Sequence, residues 1–129
     1  MNPDELILRA RCARENAYAP YSNFKVGAAL LTRSGKVFTG CNVENATYGL
    51  TVCAERVAIW KALSEGERDF SAIAVVSSSE VPASPCGACR QLLWEFCGDI
   101  EVIIANTGDA KRSLRMSELF PHPFDRSYL

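Results

Sequence analysis

The chain has 129 residues, 48% of them hydrophobic and 22% charged, which is ordinary globular usage; it excludes a disordered chain and predicts one domain over residues 1–129. Fourteen Lys and Arg against fifteen Asp and Glu leave a net charge of −1, which argues against a partner recognised through nucleic-acid phosphates and against an anionic membrane. The acidic start Met1–Glu5 and its three-residue apolar stretch do not read as a signal peptide, and no window approaches ~18 apolar residues, so a cytoplasmic location is expected.

Pro3-Asp4-Glu5 opens a helix, with proline and acids in its first turn. Leu6, Ile7, Ala10, Ala13, Ala17 and Tyr18 recur at helical spacing and are expected to pack on one side, with Ala19-Pro20 ending the helix. Phe24–Leu31 and Val37–Val43 are apolar, β-prone runs around Ser34-Gly35 and predict a hairpin. A second helix runs from Cys53 to Gly66, a buried strand from Phe70 to Ser77, a third helix from Cys86 to Cys97, and another buried strand from Ile100 to Ala105. Asn106–Asp109 is a turn, followed by a weak strand at Ser113–Met116 and a short helical turn at Ser117–Phe120. Crossover helices between strands place helices on both faces of a mixed, roughly five-stranded sheet, an α/β/α sandwich of three layers.

In a reducing compartment the six cysteines point to metal or redox chemistry rather than to disulfides. Cys86 and Cys89, three apart, lie about 60° from each other on a helical wheel and can face one ion. Cys53 stands at the start of the other helix, so all three sulfurs profit from a positive helix end that favours thiolate. Three thiolates suit zinc, and three protein ligands rather than four leave the open position of a catalytic site. Cys12, Cys41 and Cys97 read as core or semi-buried residues, and His122, between two prolines, as a lone imidazole. Glu55 lies about 200° from Cys53 on an ideal wheel, so it serves the metal only if the ion hangs off the helix end; a carboxylate there can take a proton from water. Zinc with three thiolates carries a charge of −1, so donors to the sulfurs are expected from Arg56, favoured, or Arg90.

Cys53-Ala54-Glu55 and Pro85-Cys86-Gly87-Ala88-Cys89 resemble the zinc nucleoside deaminases. Tyr18–Ser22, Phe24–Leu30 and Asn42–Ala46 are similar to the small homotetrameric cytidine deaminases, a likeness running from about Leu6 to Leu119. The resemblance implies one Zn²⁺ per subunit on Cys53, Cys86 and Cys89, proton transfer by Glu55, and release of ammonia from cytidine and 2′-deoxycytidine. It assigns the ribose hydroxyls to Asn42 and Glu44 in the Asn42-Val43-Glu44-Asn45-Ala46 segment, in which Asn45 and Ala46 also border the substrate. Phe24 would press on the pyrimidine, the Ala54 amide and Ser84 carbonyl would read the base edge, and Tyr48 would lie near the sugar at a subunit boundary. An aromatic near the C-terminus would reach a neighbouring subunit; Phe124 is favoured over Phe120 and Tyr128. Apolar residues all round Val57–Trp60 and Leu92–Trp94 also fit a homotetramer.

Competing readings are a deaminase of a related aminated nucleoside such as blasticidin S, a zinc-stabilised binding module closed by a fourth ligand, and a thiol–disulfide oxidoreductase using Cys86 and Cys89. The last leaves Cys53 and Glu55 without a role.

Overall fold

A computed structural model describes residues 1–129. Five strands form one sheet in the order β2-β1-β3-β4-β5, with β1 Val26–Thr32, β2 Val37–Cys41, β3 Phe70–Ser77, β4 Glu101–Asn106 and β5 Lys111–Arg115. Only β3 and β4 run parallel, as the intervening helix α3 (Gly87–Cys97) requires; the remaining neighbours are antiparallel.

Side-chain alternation divides the core in two. Ala28, Leu30, Ile73, Val75, Val102 and Ile104 point to one face, where α2 (Ala54–Ser64), α3 and the short α4 (Met116–Leu119) cover them. Ala29, Ala72, Ala74, Val76, Ile103 and Ala105 point to the other, where α1 (Pro3–Arg14) lies with Leu6, Ile7 and Ala10 inward. The result is the expected three-layer α/β/α sandwich, with both crossover helices on one face and the N-terminal helix alone on the opposite one.

Two glycines set how closely helices approach the sheet. A Cβ on Gly27 would lie 2.0 Å from Ala10 O of α1, and one on Gly40 would lie 2.4 Å from Ala54 O of α2. Neither position admits a side chain without moving a helix.

Two boundaries, at the end of α1 and the start of β5, differ from the sequence reading. Helix α1 ends at Arg14, four residues before Tyr18, because the chain beyond it is recruited to strand-like pairing. Tyr18 N donates to Asn42 O at 3.0 Å and Glu44 N to Tyr18 O at 2.8 Å, and the Tyr18 side chain is exposed rather than packed. The last strand begins at Lys111, two residues early; its charged Lys111, Arg112 and Arg115 mark an exposed sheet edge and lack an apolar signal. Cys12 is exposed, on the outer side of α1, while Cys41 and Cys97 are partly buried as expected.

Candidate metal centre and cavity

Helices α2 and α3 begin one residue after Cys53 and Cys86. Both cysteines are N-caps with extended backbone (φ −76°, ψ 154° and φ −66°, ψ 168°), and neither side chain caps its own helix. Their sulfurs are free to turn outward, where the Cys89 sulfur, from the first turn of α3, joins them. The three Sγ atoms lie within 4.8 Å of one another. No other His, Cys, Asp or Glu belongs to this group: Cys12, Cys41, Cys97 and His122 lie outside it.

The protons on this cluster are unevenly held. The Cys89 thiol and the Arg56 guanidinium stabilise the Cys53 thiolate and outweigh its burial, bringing its pKa down to about 6. Cys89 moves the other way, kept protonated by its hydrogen bond to Cys53 and by desolvation. A soft, part-ionised three-sulfur donor set at two positive helix ends fits zinc. The Arg56 guanidinium supports the fit from the side through hydrogen bonds to Cys89 and Cys86, while its buried Nε has no partner.

Arg90 has another task. Nε donates to Pro85 O at 2.8 Å, and the guanidinium also reaches Ser84 Oγ at 2.8 Å and Leu119 O at 2.7 Å. It braces the Ser84-Pro85 segment ahead of α3 and ties it to α4.

Glu55 occupies the first turn of α2 and is 5% exposed. Since Cys53 is an N-cap outside the helix, the wheel angle between them does not separate them. Desolvation, with a smaller push from the Cys53 charge, raises the Glu55 pKa to about 7. A buried carboxyl group that exchanges its proton near neutrality is suited to general acid–base chemistry.

Cys53 and Cys86 of the cluster border, together with Glu55, a cavity of about 290 Å³. Phe24, Asn42, Glu44, Cys53, Ala54, Glu55, Ser84 and Cys86 of the expected residues line it. The amide N–H of Ala54, in the first turn of α2, is a donor without an intrahelical partner. At the mouth, the Glu44 carboxylate accepts from Tyr21 N at 2.9 Å, Ser22 N at 3.1 Å and the Ser22 hydroxyl, contacts that hold its pKa below the usual carboxylate range. Asn42 is partly committed: Oδ1 accepts from Val26 N and Nδ2 donates to Phe24 O, both at 2.8 Å. These bonds fix the Phe24–Val26 wall, and the second amide hydrogen and lone pair remain for a ligand.

Asn45, Ala46, Tyr48 and Phe124 do not line this cavity. Asn45 instead shapes the approach loop, donating through its N–H to Thr51 Oγ1 at 3.1 Å and accepting from Thr47 N at 2.9 Å. Tyr48 stands exposed against Tyr21. Phe124 stacks on Tyr128 at 5.5 Å, and Phe120 packs partly buried against the core. The lining also contains Ser22, Val26, Thr51, Val52, Val75, Ser77 and Ala83, which the sequence reading did not select. Period-2 counting along β3 was the available signal for Val75 and Ser77, which follow Ile73 on the site face.

Comparisons with known proteins agree with this geometry. The profile of the cytidine and deoxycytidylate deaminase zinc-binding region matches residues 1–106. A cytidine deaminase of Halalkalibacterium halodurans is 52% identical, over 96% of this chain and 95% of the relative. One from Sporosarcina psychrophila is 47% identical over 100% and 96%. The crystal structure of cytidine deaminase from Burkholderia pseudomallei superimposes with a TM-score of 0.94 at 53% identity, covering 96% of this chain and all of the other. The chain belongs to the cytidine and deoxycytidylate deaminase family.

Proposed function

We propose that this member of the cytidine and deoxycytidylate deaminase family hydrolyses the C4 amino group of cytidine and 2′-deoxycytidine, giving the uridines and ammonia. The observation that carries the reading is a cluster of three sulfurs, without a fourth side-chain ligand, at the same cavity as a buried, readily protonated carboxyl group.

Cys53, Cys86 and Cys89 would hold the zinc, with Arg56 moderating the charge on their sulfurs. Zinc there supplies Lewis acidity that brings the ionisation of water toward neutral pH. Glu55 accepts the proton of the attacking water and delivers it to ring N3 as oxygen adds to C4. The proton of the new C4 hydroxyl then passes through Glu55 to the amino group, which leaves as ammonia. Such positioned acid–base help is typically worth about 10²–10⁴-fold in rate.

The apolar walls Phe24, Val26, Val52 and Val75 suit the faces of a flat ring. Ala54 N–H and Ser84 C=O are assigned to the base edge. Glu44, held ionised, and the spare polar capacity of Asn42 are assigned to the sugar hydroxyls.

A homotetramer with sites at subunit boundaries is supported by exposed Tyr18, Tyr21, Val43, Tyr48 and Leu50 on the adjoining segments that lead to the cavity. In that assembly Asn45, Ala46 and Tyr48 border a neighbouring sugar site and Phe124 reaches a neighbouring cavity; a sedimentation mass four times the 14.2 kDa of one chain is expected, and a monomer would refute it. Residues 1–129 act as one catalytic unit in this reading, and the thiolate ligands suit a reducing, cytoplasmic setting.

Ammonia release by zinc-quantified protein, measured on cytidine, 2′-deoxycytidine, cytosine, adenosine and blasticidin S, tests the substrate. Turnover of the first two is expected to exceed all others. Preference for blasticidin S would move the reading to that related deaminase, and no turnover by zinc-replete protein would leave a zinc-stabilised binding module.

A further inference from the structure

Among buried side-chain polar atoms, three lack a hydrogen-bond partner: Arg11 Nε, Arg56 Nε and Ser77 Oγ. Two have evident reasons. The Arg56 guanidinium is already engaged with the Cys89 and Cys86 sulfurs, and the Arg11 guanidinium through Nη2 with the carbonyls of Asn106 and Gly108. Ser77 has no such explanation.

Ser77 closes β3, paired with Val26 on one side and Asn106 on the other, and is 1% exposed. It follows Ile73 and Val75 on the face covered by α2 and α3, and it lines the same cavity as Glu55 and Cys53. The polar groups of that cavity fall into two sets. Ser22 is exposed and Glu44 half-buried toward its mouth, whereas Ser77, Glu55 and Asn42 are buried, Asn42 being already bonded to Val26 and Phe24. A hydroxyl in the interior is costly unless something completes its hydrogen bonds. For Ser77 the cavity is where that partner must come from.

The inference rests on the deaminase reading. With the reacting carbon placed beside the sulfurs and Glu55, the most deeply inserted polar substituent of a cytosine ring is its exocyclic amino group. We propose that the Ser77 hydroxyl accepts a hydrogen bond from that amino group and so positions the ring for attack. Ser77 is therefore a positioning and specificity residue, selecting heterocycles that carry a hydrogen-bond donor at the reacting carbon. No proton is transferred to it, and the balance of the reaction is unchanged.

The test compares wild-type and Ser77→Ala holoenzymes in three measurements: kcat/KM for cytidine, the inhibition constant of a pyrimidin-2-one ribonucleoside that lacks the amino group, and thermal unfolding. The expected result is a fall of about tenfold in kcat/KM, an inhibition constant changed by less than about twofold, and no loss of melting temperature, since the deleted hydroxyl has no protein partner. Ser77→Thr, which retains the hydroxyl, is expected to recover part of the loss. Equal weakening of cytidine and the inhibitor, or a lowered melting temperature, would make Ser77 a packing residue and overturn the proposal. Unchanged kcat/KM would overturn it as well. An inactive wild-type holoenzyme would instead remove the deaminase reading on which it stands.

Discussion

The two faces of the sheet are built to different rules from the same strands. On the α1 face, Ala10, Gly27, Ala29, Ala72, Ala74 and Ala105 are small, so a helix backbone lies almost on the sheet. On the opposite face, larger Phe38, Ile73, Val75, Leu93 and Ile104 hold two helices whose N-termini border an open cavity. Glu55, Ser77 and Asn42, the buried polar residues on that side apart from Thr32, all border this void. Close packing confers rigidity, and the looser face uses that rigidity to keep a desolvated carboxyl group and three sulfurs in place. A variant that separates the two faces is therefore the informative kind.

The largest effect is expected for Glu55→Gln. Turnover should fall by about 10³–10⁴-fold while zinc content and fold are retained, as read by ammonia release and elemental analysis. An active, metal-loaded variant would remove Glu55 from the mechanism. Cys86→Ala should lose the metal and lower the melting temperature, because the ends of α2 and α3 lose their shared anchor; a full zinc complement in that protein would contradict the assignment.

A third prediction concerns pH. In metal-free protein the Glu55 pKa is raised by burial to about 7, above its unfolded value near 4.5, so the folded state binds more protons than the unfolded state between the two values. Stability from this group is complete below pH ~4.5 and is lost as pH rises through about 7. Glu55→Gln should consequently be more stable than wild type by about 3 kcal/mol at pH 8, with the difference vanishing near pH 4. Parallel stability curves for the two proteins would show that Glu55 is not desolvated.

The smallest effects come from a glycine pair, and they sharpen the contrast most. Gly27→Ala should destabilise by about 1–3 kcal/mol through displacement of α1, with kcat/KM nearly unchanged. Gly40→Ala, pressing on the first turn of α2 at Ala54, should cost a similar amount of stability and also lower zinc affinity and activity. Equal activity in both variants would mean that the position of α2 does not control the site.

The site was more legible in the sequence than some of its surroundings. Cys53, Glu55, Cys86 and Cys89 announced themselves through residue type and spacing, because few side-chain sets can bind a soft metal and move a proton. The paired apolar runs of β3 and β4 were equally plain. What escaped depended on long-range contacts. Tyr18 has helical spacing, yet pairing with the Asn42–Glu44 segment wins over one more helical turn. Lys111 and Arg112 carry no strand signal, since β4 rather than their own side chains places them. Arg90 could not be distinguished from Arg56 by spacing; only the fold shows Arg90 engaged with Pro85 and Leu119. Strand parity puts Ser77 on the site face, but only the fold shows that it borders a cavity.

The open coordination position is the central claim, and X-ray absorption spectroscopy at the zinc edge of freshly purified protein addresses it most directly. Three sulfur scatterers at about 2.3 Å and one light atom at about 2.0 Å, the latter exchangeable with a competitive inhibitor, are predicted. Four sulfurs, a histidine signature, or protein without zinc would contradict the account.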